Sequence, residues 1–233
     1  MRVPLYIELS DKKVAVIGGG NVGTNRARKF IEAGADVTVF SLEFTDELIN
    51  LEKNNLVKLV RADVSDLDLD KIASEYYLIV VALNDREYNK RILRIARKYK
   101  TLINLANDAD MTEVVVPFEG GKKGIRFAVT TEGKSGIVAR KVRDMFQETL
   151  EKNEEIYYFL RAMEHLKKYM KSSGIPIDVR MKLYSIVSSD EEFKRLVKEE
   201  RLEKARKYAE SLVDRYVREG TDDRQAPPDG HSV

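Results

Sequence analysis

Short apolar runs rich in β-branched residues alternate with amphipathic patterns over the first part of the chain. The runs predict strands at residues 14–17, 37–40, 57–60, 78–81 and 102–105. Apolar residues at helical spacing predict helices at residues 21–33, 68–74 and 86–99. Most of these strands are apolar enough to be covered on both faces, which is typical of parallel strands joined by crossover helices. The pattern therefore predicts an α/β fold built on a parallel sheet.

Beyond residue 105 the pattern changes to a hairpin followed by helices. Strand-like runs at residues 114–118 and 125–129 flank the Gly-rich segment 119–124, which predicts a hairpin turn. A helix is predicted at residues 136–150, and from residue 151 onward apolar stripes predict amphipathic helices. Residues 220–233 are rich in Pro, Asp and Gly without periodicity, and we predict that they are disordered.

Composition excludes several classes of chemistry. The 233 residues include 41 Lys and Arg against 39 Asp and Glu, and this balance argues against a strongly basic nucleic-acid-binding protein. The lack of cysteine excludes disulfides, thiolate nucleophiles and Cys-ligated metals, and the two histidines form no metal-binding motif. The apolar runs are too short to span a membrane, and no signal peptide is recognisable. We expect a soluble cytoplasmic protein without a bound metal.

A glycine-rich motif directly follows the first predicted strand and opens the first predicted helix. Its spacing, Gly18-x-Gly20-x-x-Gly23, matches the dinucleotide-binding fingerprint in the context that gives the fingerprint meaning. The first glycine permits the tight turn, Gly20 lets a pyrophosphate approach, and Gly23 allows close packing of helix and strand. The N–H groups of Asn21 and Val22 belong to the helix N-terminus that would face the phosphates. The motif predicts a dinucleotide cofactor on a Rossmann-type sheet.

The end of the second predicted strand bears on the choice between NAD and NADP. The acid that usually accepts a hydrogen bond from the adenosine ribose is missing, because Ser41 and Leu42 stand there before Glu43. No arginine stands there to receive a 2′-phosphate. Ser41 or Glu43 could take the place of the missing acid, but Glu43 could equally be an exposed loop acid without a role in binding. We predict NAD.

Several blocks of sequence carry a resemblance that extends over residues 3–150. They are PLYIEL at 4–9, VIGGGNV at 16–22, RAR at 26–28, EAGA at 32–35, VALND at 81–85 with Asn89, INLA at 103–106, Pro117, and GKSGIVAR at 133–140. In this order and spacing the chain resembles the precorrin-2 dehydrogenase and sirohydrochlorin ferrochelatase family of siroheme biosynthesis. The combination is far more specific than the glycine motif alone.

The resemblance implies an activity and an assembly. Family members oxidise precorrin-2 to sirohydrochlorin with NAD, and some then insert ferrous iron. They are homodimers in which the segment after the dinucleotide domain is intertwined. We accordingly predict an NAD-binding Rossmann domain at 1–113, a small α+β dimerisation segment at 114–150, a C-terminal helical module at 151–219 and a disordered tail at 220–233.

The resemblance also implies site residues. The cofactor contacts beyond the glycine loop, Ser41, Leu42 and Glu43 are Ala82, Asn84 and Asn104. The substrate contacts are Thr131, Lys134, Ser135 and Arg140. Residues 119–150 carry seven basic and four acidic side chains, and this excess suits a substrate with many carboxylates. The basic side chains that could meet them are Lys122, Lys123, Lys134, Arg140, Lys141 and Arg143.

The chain departs from the family at the position that matters most for proton transfer. Family members have an aspartate three residues after the Asn that is Asn104 here, and this chain has Asn107 in its place. An amide cannot act as a general base. Asp108 could take over that role, or it could simply cap a turn. Glu132 and Gly136 replace a glycine and a proline of the family pattern.

These departures keep two hypotheses open. The first is an NAD-dependent precorrin-2 dehydrogenase in which iron insertion is uncertain, with Asp108 and Asn107 as the candidate catalytic positions. The second is a dinucleotide or tetrapyrrole sensor that kept the fold and lost catalysis. A nucleotide-binding module of a transport system would explain the glycine motif but not the block at 133–140.

Overall fold

The structure is a computed structural model that describes residues 2–222. Its largest feature is a parallel sheet in the order β3-β2-β1-β4-β5. The strands are β1 Lys13–Ile17, β2 Asp36–Ser41, β3 Lys58–Arg61, β4 Leu78–Val81 and β5 Leu102–Leu105. The helices between them are α1 Asn21–Glu32, α2 Asp46–Lys53, α3 Leu69–Glu75 and α4 Arg86–Tyr99. All five predicted strands and the Rossmann-type fold class are confirmed.

The sheet is covered on both faces because alternate side chains of each strand enter different clusters. In β1, Ala15 and Ile17 pack into the cluster that includes α3 and α4. Val14 and Val16 pack into the opposite cluster, which includes α1 and α2. The chain order reverses between β1 and β4, and their carboxyl ends therefore form the crevice where such sheets bind ligands.

Helix α2 was not predicted from the hydrophobic pattern. It has eight residues and buries only Leu48, so it offers too few apolar positions for a recognisable period. Its signals are local: Thr45 accepts a hydrogen bond from the Leu48 N–H, and Asp46 and Glu47 stand in the first turn. Acidic residues there are stabilised by the positive end of the helix dipole.

The predicted strand at 114–118 is wrong, and the hairpin lies further along the chain. Its strands are β6 Phe118–Lys122 and β7 Ile125–Val129, so most of the segment predicted as a turn is strand. The turn is Lys123-Gly124, where both φ angles are positive (52° and 93°), as a two-residue type I′ turn requires. Residues 114–117 are irregular because Val114 and Val116 pack onto one face of the large sheet, and Pro117 has no N–H to donate.

The chain forms two compact units. One comprises the described residues up to Phe118 together with Ala128–Lys141, and the other comprises Glu119–Phe127 together with the described residues from Val142. The predicted segment 114–150 contributes to both, and its role in dimerisation stays a prediction. The remaining helices are α5 Gly136–Lys152, α6 Glu155–Ser172, α7 Ile177–Ser189, α8 Glu191–Lys198 and α9 Leu202–Asp222.

The second unit has its own helical core, as the apolar stripes predict. Leu166, Met170, Leu183 and Phe193 are fully buried there. Helix α9 continues to Asp222, into the start of the predicted disordered tail, and the rest of that tail lies outside the described residues. None of the helices at residues 2–222 combines the length and apolar character needed to cross a membrane. The cytoplasmic location stays a prediction.

Candidate functional site

The glycine loop lies where β1 meets the ends of β2 and β4. The Gly18 N–H donates to the Phe40 carbonyl (2.9 Å), and Gly18 has a φ of 111°. A Cβ on Gly18 would lie 2.9 Å from the Ala82 oxygen, and one on Gly23 would lie 1.9 Å from the Gly18 oxygen. A Cβ on Gly19 would meet the Glu43 carbonyl at 2.3 Å. Contacts within the protein itself therefore require glycine at these three positions.

Gly20 differs from the other glycines of the loop. A Cβ there would find no described atom within 4 Å, and its φ of −76° is open to any residue. The protein's own packing therefore does not require glycine at this position. Gly20 is the N-cap of α1, and no side chain of the described residues caps that helix end. The first N–H groups of α1 and the open space beside Gly20 fit a pyrophosphate.

The loop after β2 lies next to the glycine loop, and a basic side chain that the sequence did not place there is part of it. Ser41 is half-buried, whereas Leu42 and Glu43 are exposed. The Arg61 guanidinium, at the end of β3, donates to the Leu42 carbonyl (2.7 Å) and lies 5.8 Å from the centre of the Phe44 ring. The sequence has no arginine at residues 40–43, but strand pairing brings Arg61 beside Ser41.

The residues after β4 complete the crevice beside the glycine loop. The Ala82 N–H donates to the Ile17 carbonyl (2.8 Å), which holds the end of β4 against β1. Asn84 is exposed in the loop that follows. Asp85, next in the chain, accepts from the Tyr88 N–H (3.0 Å) and caps α4.

Asn104 in β5 is a buried polar side chain with only 3% of its surface exposed. Its Nδ2 donates to the Val114 carbonyl at 2.7 Å. Its Oδ1 is buried and has no hydrogen-bond partner among the described residues. A buried acceptor without a donor is costly unless a ligand or water satisfies it.

The loop after β5 holds the two candidate catalytic positions in different ways. Asn107 is exposed, and its Nδ2 donates to the Leu83 carbonyl (3.3 Å). Asp108 is half-buried, and one carboxylate oxygen accepts from the Met111 N–H (3.0 Å). Asp108 thus caps a turn, the alternative left open by the sequence. Its second carboxylate oxygen forms no hydrogen bond with the described residues.

The predicted substrate residues lie on the turn that precedes α5. The Thr131 hydroxyl accepts from the Ser135 N–H (3.0 Å) and donates to the Ser135 carbonyl (2.9 Å). The Ser135 hydroxyl accepts from the Val138 N–H in the first turn of α5. A Cβ on Gly133 would lie 2.2 Å from the Ala109 Cβ. This close approach places the turn directly against the loop that carries Asn107 and Asp108.

A cavity of about 210 Å³ lies within the first unit, between this turn, β5 and α1. Asn104, Ala106, Thr131 and Gly133 contribute to its walls. Arg26, from the second turn of α1, also lines it, and the Nε of Arg26 is buried without a hydrogen-bond partner among the described residues. Arg26 carries no signal in the sequence beyond its place in the RAR block.

The basic side chains proposed to meet substrate carboxylates fall into two groups. Lys134, Arg140 and Lys141 are exposed in the first unit. Lys122 and Lys123 belong to the second unit, where both form ion pairs with Glu154 (3.2 and 2.5 Å), and these hydrogen bonds hold the pKa of Glu154 below its usual value. Arg143 pairs with Asp144. The structure therefore gives these last three side chains partners that the sequence could not identify.

No three His, Asp or Glu side chains at residues 2–222 are grouped so that they could hold a metal ion. His165 instead lies 2.7 Å from a carboxylate oxygen of Glu210, within the helical unit. The expectation of no bound metal stays a prediction.

The chain is similar in sequence to several known proteins. A family model described as "Putative NAD(P)-binding" matches residues 5–118. The chain is 31% identical over 199 residues to the "Putative precorrin-2 dehydrogenase" of Methanocaldococcus jannaschii, a match that covers 84% of this chain and 96% of that protein. It is 31% identical over 172 residues to the precorrin-2 dehydrogenase of Methanosarcina barkeri, covering 72% of this chain and 75% of the relative.

Longer relatives and a solved structure are also similar. The siroheme synthase of Psychromonas ingrahamii is 25% identical over 148 residues, and the chain spans 30% of the length of that protein. The solved structure of SirC, a precorrin-2 dehydrogenase, superimposes with a TM-score of 0.67 over 92% of this chain and 100% of the other, at 20% identity. At this identity the superposition shows that the two chains share a fold.

Proposed function

Because the chain belongs to the precorrin-2 dehydrogenase family, we propose that it oxidises precorrin-2 to sirohydrochlorin with NAD as the hydride acceptor. The observation that carries the proposal is the open position at Gly20 on the same sheet edge as the cavity beside Asn104. A dinucleotide lying across the carboxyl ends of β1 and β4 extends from the glycine loop toward β5. The cavity then lies next to the end of the dinucleotide that accepts the hydride.

The cofactor, when bound, supplies the hydride acceptor, and the chain supplies binding, orientation and proton transfer. The N-terminus of α1 stabilises the pyrophosphate charge. The turn at Thr131 packs against the loop after β5, and a tetrapyrrole lying across both would meet Asp108. Dehydrogenation releases one hydride and one proton, and the second carboxylate oxygen of Asp108 is the proton acceptor that we assign.

Iron insertion is not part of the proposed function. Metal insertion requires the pyrrole nitrogens to lose protons, and the amide of Asn107 cannot accept them. One carboxylate oxygen of Asp108 accepts from the Met111 N–H, which leaves its other oxygen as the proton acceptor that we assign.

One observation favours a second candidate, a dinucleotide or tetrapyrrole sensor. Asp108 already serves as a turn cap, and Asn107 is an amide, so the loop could be purely structural. Incubating the protein with enzymatically generated precorrin-2 and NAD separates the two candidates. Sirohydrochlorin formed over many turnovers supports the dehydrogenase. Saturable NAD binding without turnover supports the sensor.

We propose NAD rather than NADP as the cofactor. The exposed carboxylate of Glu43 would repel a 2′-phosphate, and the Arg61 guanidinium is engaged with the Leu42 carbonyl and the Phe44 ring. We expect NAD to bind at least about tenfold more tightly than NADP in titration calorimetry. Glu43→Gln should narrow this difference in affinity between NAD and NADP, and Arg61→Ala should leave the difference unchanged. Tighter binding of NADP that is lost with Arg61→Ala would reverse the assignment.

We propose a homodimer formed through residues 114–150 and extended by the C-terminal helices. Helix α5 buries only Ala139, whereas Ile137 (84%), Met145 (56%) and Phe146 (52%) are largely exposed. Such apolar residues on one helix are typical of an interface. We expect a dimeric mass in sedimentation equilibrium at micromolar concentration, and Ile137→Glu combined with Met145→Glu should shift it to the monomer. A monomeric mass for the unaltered chain would contradict the proposal.

A further inference from the structure

The cavity beside Asn104 has two buried polar atoms that lack partners among the described residues, and they are of opposite kind. The Nδ2 of Asn104 must face the Val114 carbonyl, because the reversed amide would place two acceptors together, so the atom left over is the acceptor Oδ1. The atom left over on Arg26 is the donor Nε–H. Two side chains that line the cavity therefore leave one acceptor and one donor unpaired.

The rest of the lining is mostly apolar. Val116, Pro117 and Ala139 contribute carbon surface, and a volume of about 210 Å³ is far more than one bridging water needs. A flat ring bearing a polar group would fill the apolar part and leave the two polar atoms to be satisfied by its substituent.

We propose that this cavity receives the nicotinamide end of the cofactor and that Arg26 and Asn104 bind its carboxamide. A primary carboxamide has one carbonyl acceptor for the Arg26 Nε–H and N–H donors for the Asn104 Oδ1. This inference rests on the proposed function, and it assigns Arg26 a positioning role. Two hydrogen bonds to one substituent fix the rotation of the ring and hence which of its faces meets the substrate.

An ionised substrate carboxylate is a poorer match for the same cavity. It has acceptors only, so it would leave the Asn104 Oδ1 unpaired and place negative charge against it. A group with both a donor and an acceptor satisfies both unpaired atoms.

The test compares three ligands by titration calorimetry: NAD, its 3-acetylpyridine analogue and ADP-ribose. The analogue keeps the carbonyl but lacks the N–H donors, and ADP-ribose lacks the ring. We expect the unaltered protein to bind the analogue about tenfold more weakly than NAD, because the Asn104 Oδ1 stays unpaired. Arg26→Met should weaken NAD and the analogue each by about tenfold and leave ADP-ribose unchanged.

Arg28→Met is the matched control, because Arg28 is an exposed side chain of the same helix that contacts Asn25 and Glu47 outside the cavity. Equal loss of NAD and ADP-ribose affinity in Arg26→Met, or no loss of NAD affinity, would overturn the inference. If Arg26→Met shows no loss of NAD affinity but a raised KM for precorrin-2, the cavity binds a substrate carboxylate instead. If the unaltered protein binds neither NAD nor ADP-ribose, the proposed function itself fails. The comparison of NAD with its analogue needs no variant, so it holds even if Arg26→Met does not fold.

Discussion

Replacing Gly20 by valine is expected to abolish NAD binding while the protein stays folded. The side chain would enter the space beside the N-terminus of α1 that no described atom fills, which is where we place the pyrophosphate. The backbone at Gly20 is in an extended conformation that valine adopts without strain. Titration calorimetry should show no NAD binding, and the melting temperature should stay close to that of the unaltered chain.

Gly18→Val provides the contrast. Gly18 has a φ of 111°, and the new Cβ would lie 2.9 Å from the Ala82 oxygen. The substitution should therefore destabilise the fold, and the melting temperature of the variant should fall. The two variants thus separate glycine that the fold requires from glycine that the ligand requires. An unchanged NAD affinity in folded Gly20→Val would remove the glycine loop from the cofactor site.

The second large effect is expected in the loop after β5. Asp108→Ala should lower the single-turnover rate of precorrin-2 oxidation by at least about tenfold, since general acid–base assistance is typically worth about 10²–10⁴. It also removes the cap on the Met111 N–H, so the melting temperature should fall by about 2–4 °C. Asn107→Asp should raise the rate, because it adds a carboxylate that can accept a proton.

Rates measured on the folded fraction distinguish the catalytic contribution from the structural one. Asp110→Ala is the control, because Asp110 is an exposed acid in the same loop. If Asp108→Ala lowers only the melting temperature, Asp108 is a turn cap and nothing more. Rates unchanged in both Asp108→Ala and Asn107→Asp would exclude this loop from proton transfer.

The sheet could be predicted from the sequence because its strands are uniformly apolar and the glycine motif fixes the first crossover. The hairpin could not be placed correctly, because Val114 and Val116 are apolar for a different reason: they cover the sheet instead of forming a strand. The glycines at 120 and 121 look like turn residues, yet both lie in β6, where a Cβ on Gly121 would meet the Ile125 carbonyl at 2.2 Å.

The site could be predicted only where a local sequence motif indicates it. The glycine loop carries its own spacing, and the block at 133–140 carries the resemblance. Arg61 reaches the end of β2 through strand pairing, and Arg26 meets Asn104 across a cavity. Such long-range neighbours leave no periodic or motif signal in the sequence. The same limit applies to Lys122 and Lys123, whose partner Glu154 is about thirty residues away.

NAD-dependent oxidation of precorrin-2 is best tested by following both products of one reaction. Purified protein is mixed with enzymatically generated precorrin-2 and NAD, and the absorbance of sirohydrochlorin and of the reduced dinucleotide is recorded together. We predict that the two products form in equal amounts, at a rate proportional to protein concentration, and that Gly20→Val forms neither. Sirohydrochlorin formed without reduced dinucleotide, or at the same rate with Gly20→Val, would show that the oxidation does not use a dinucleotide bound at the glycine loop.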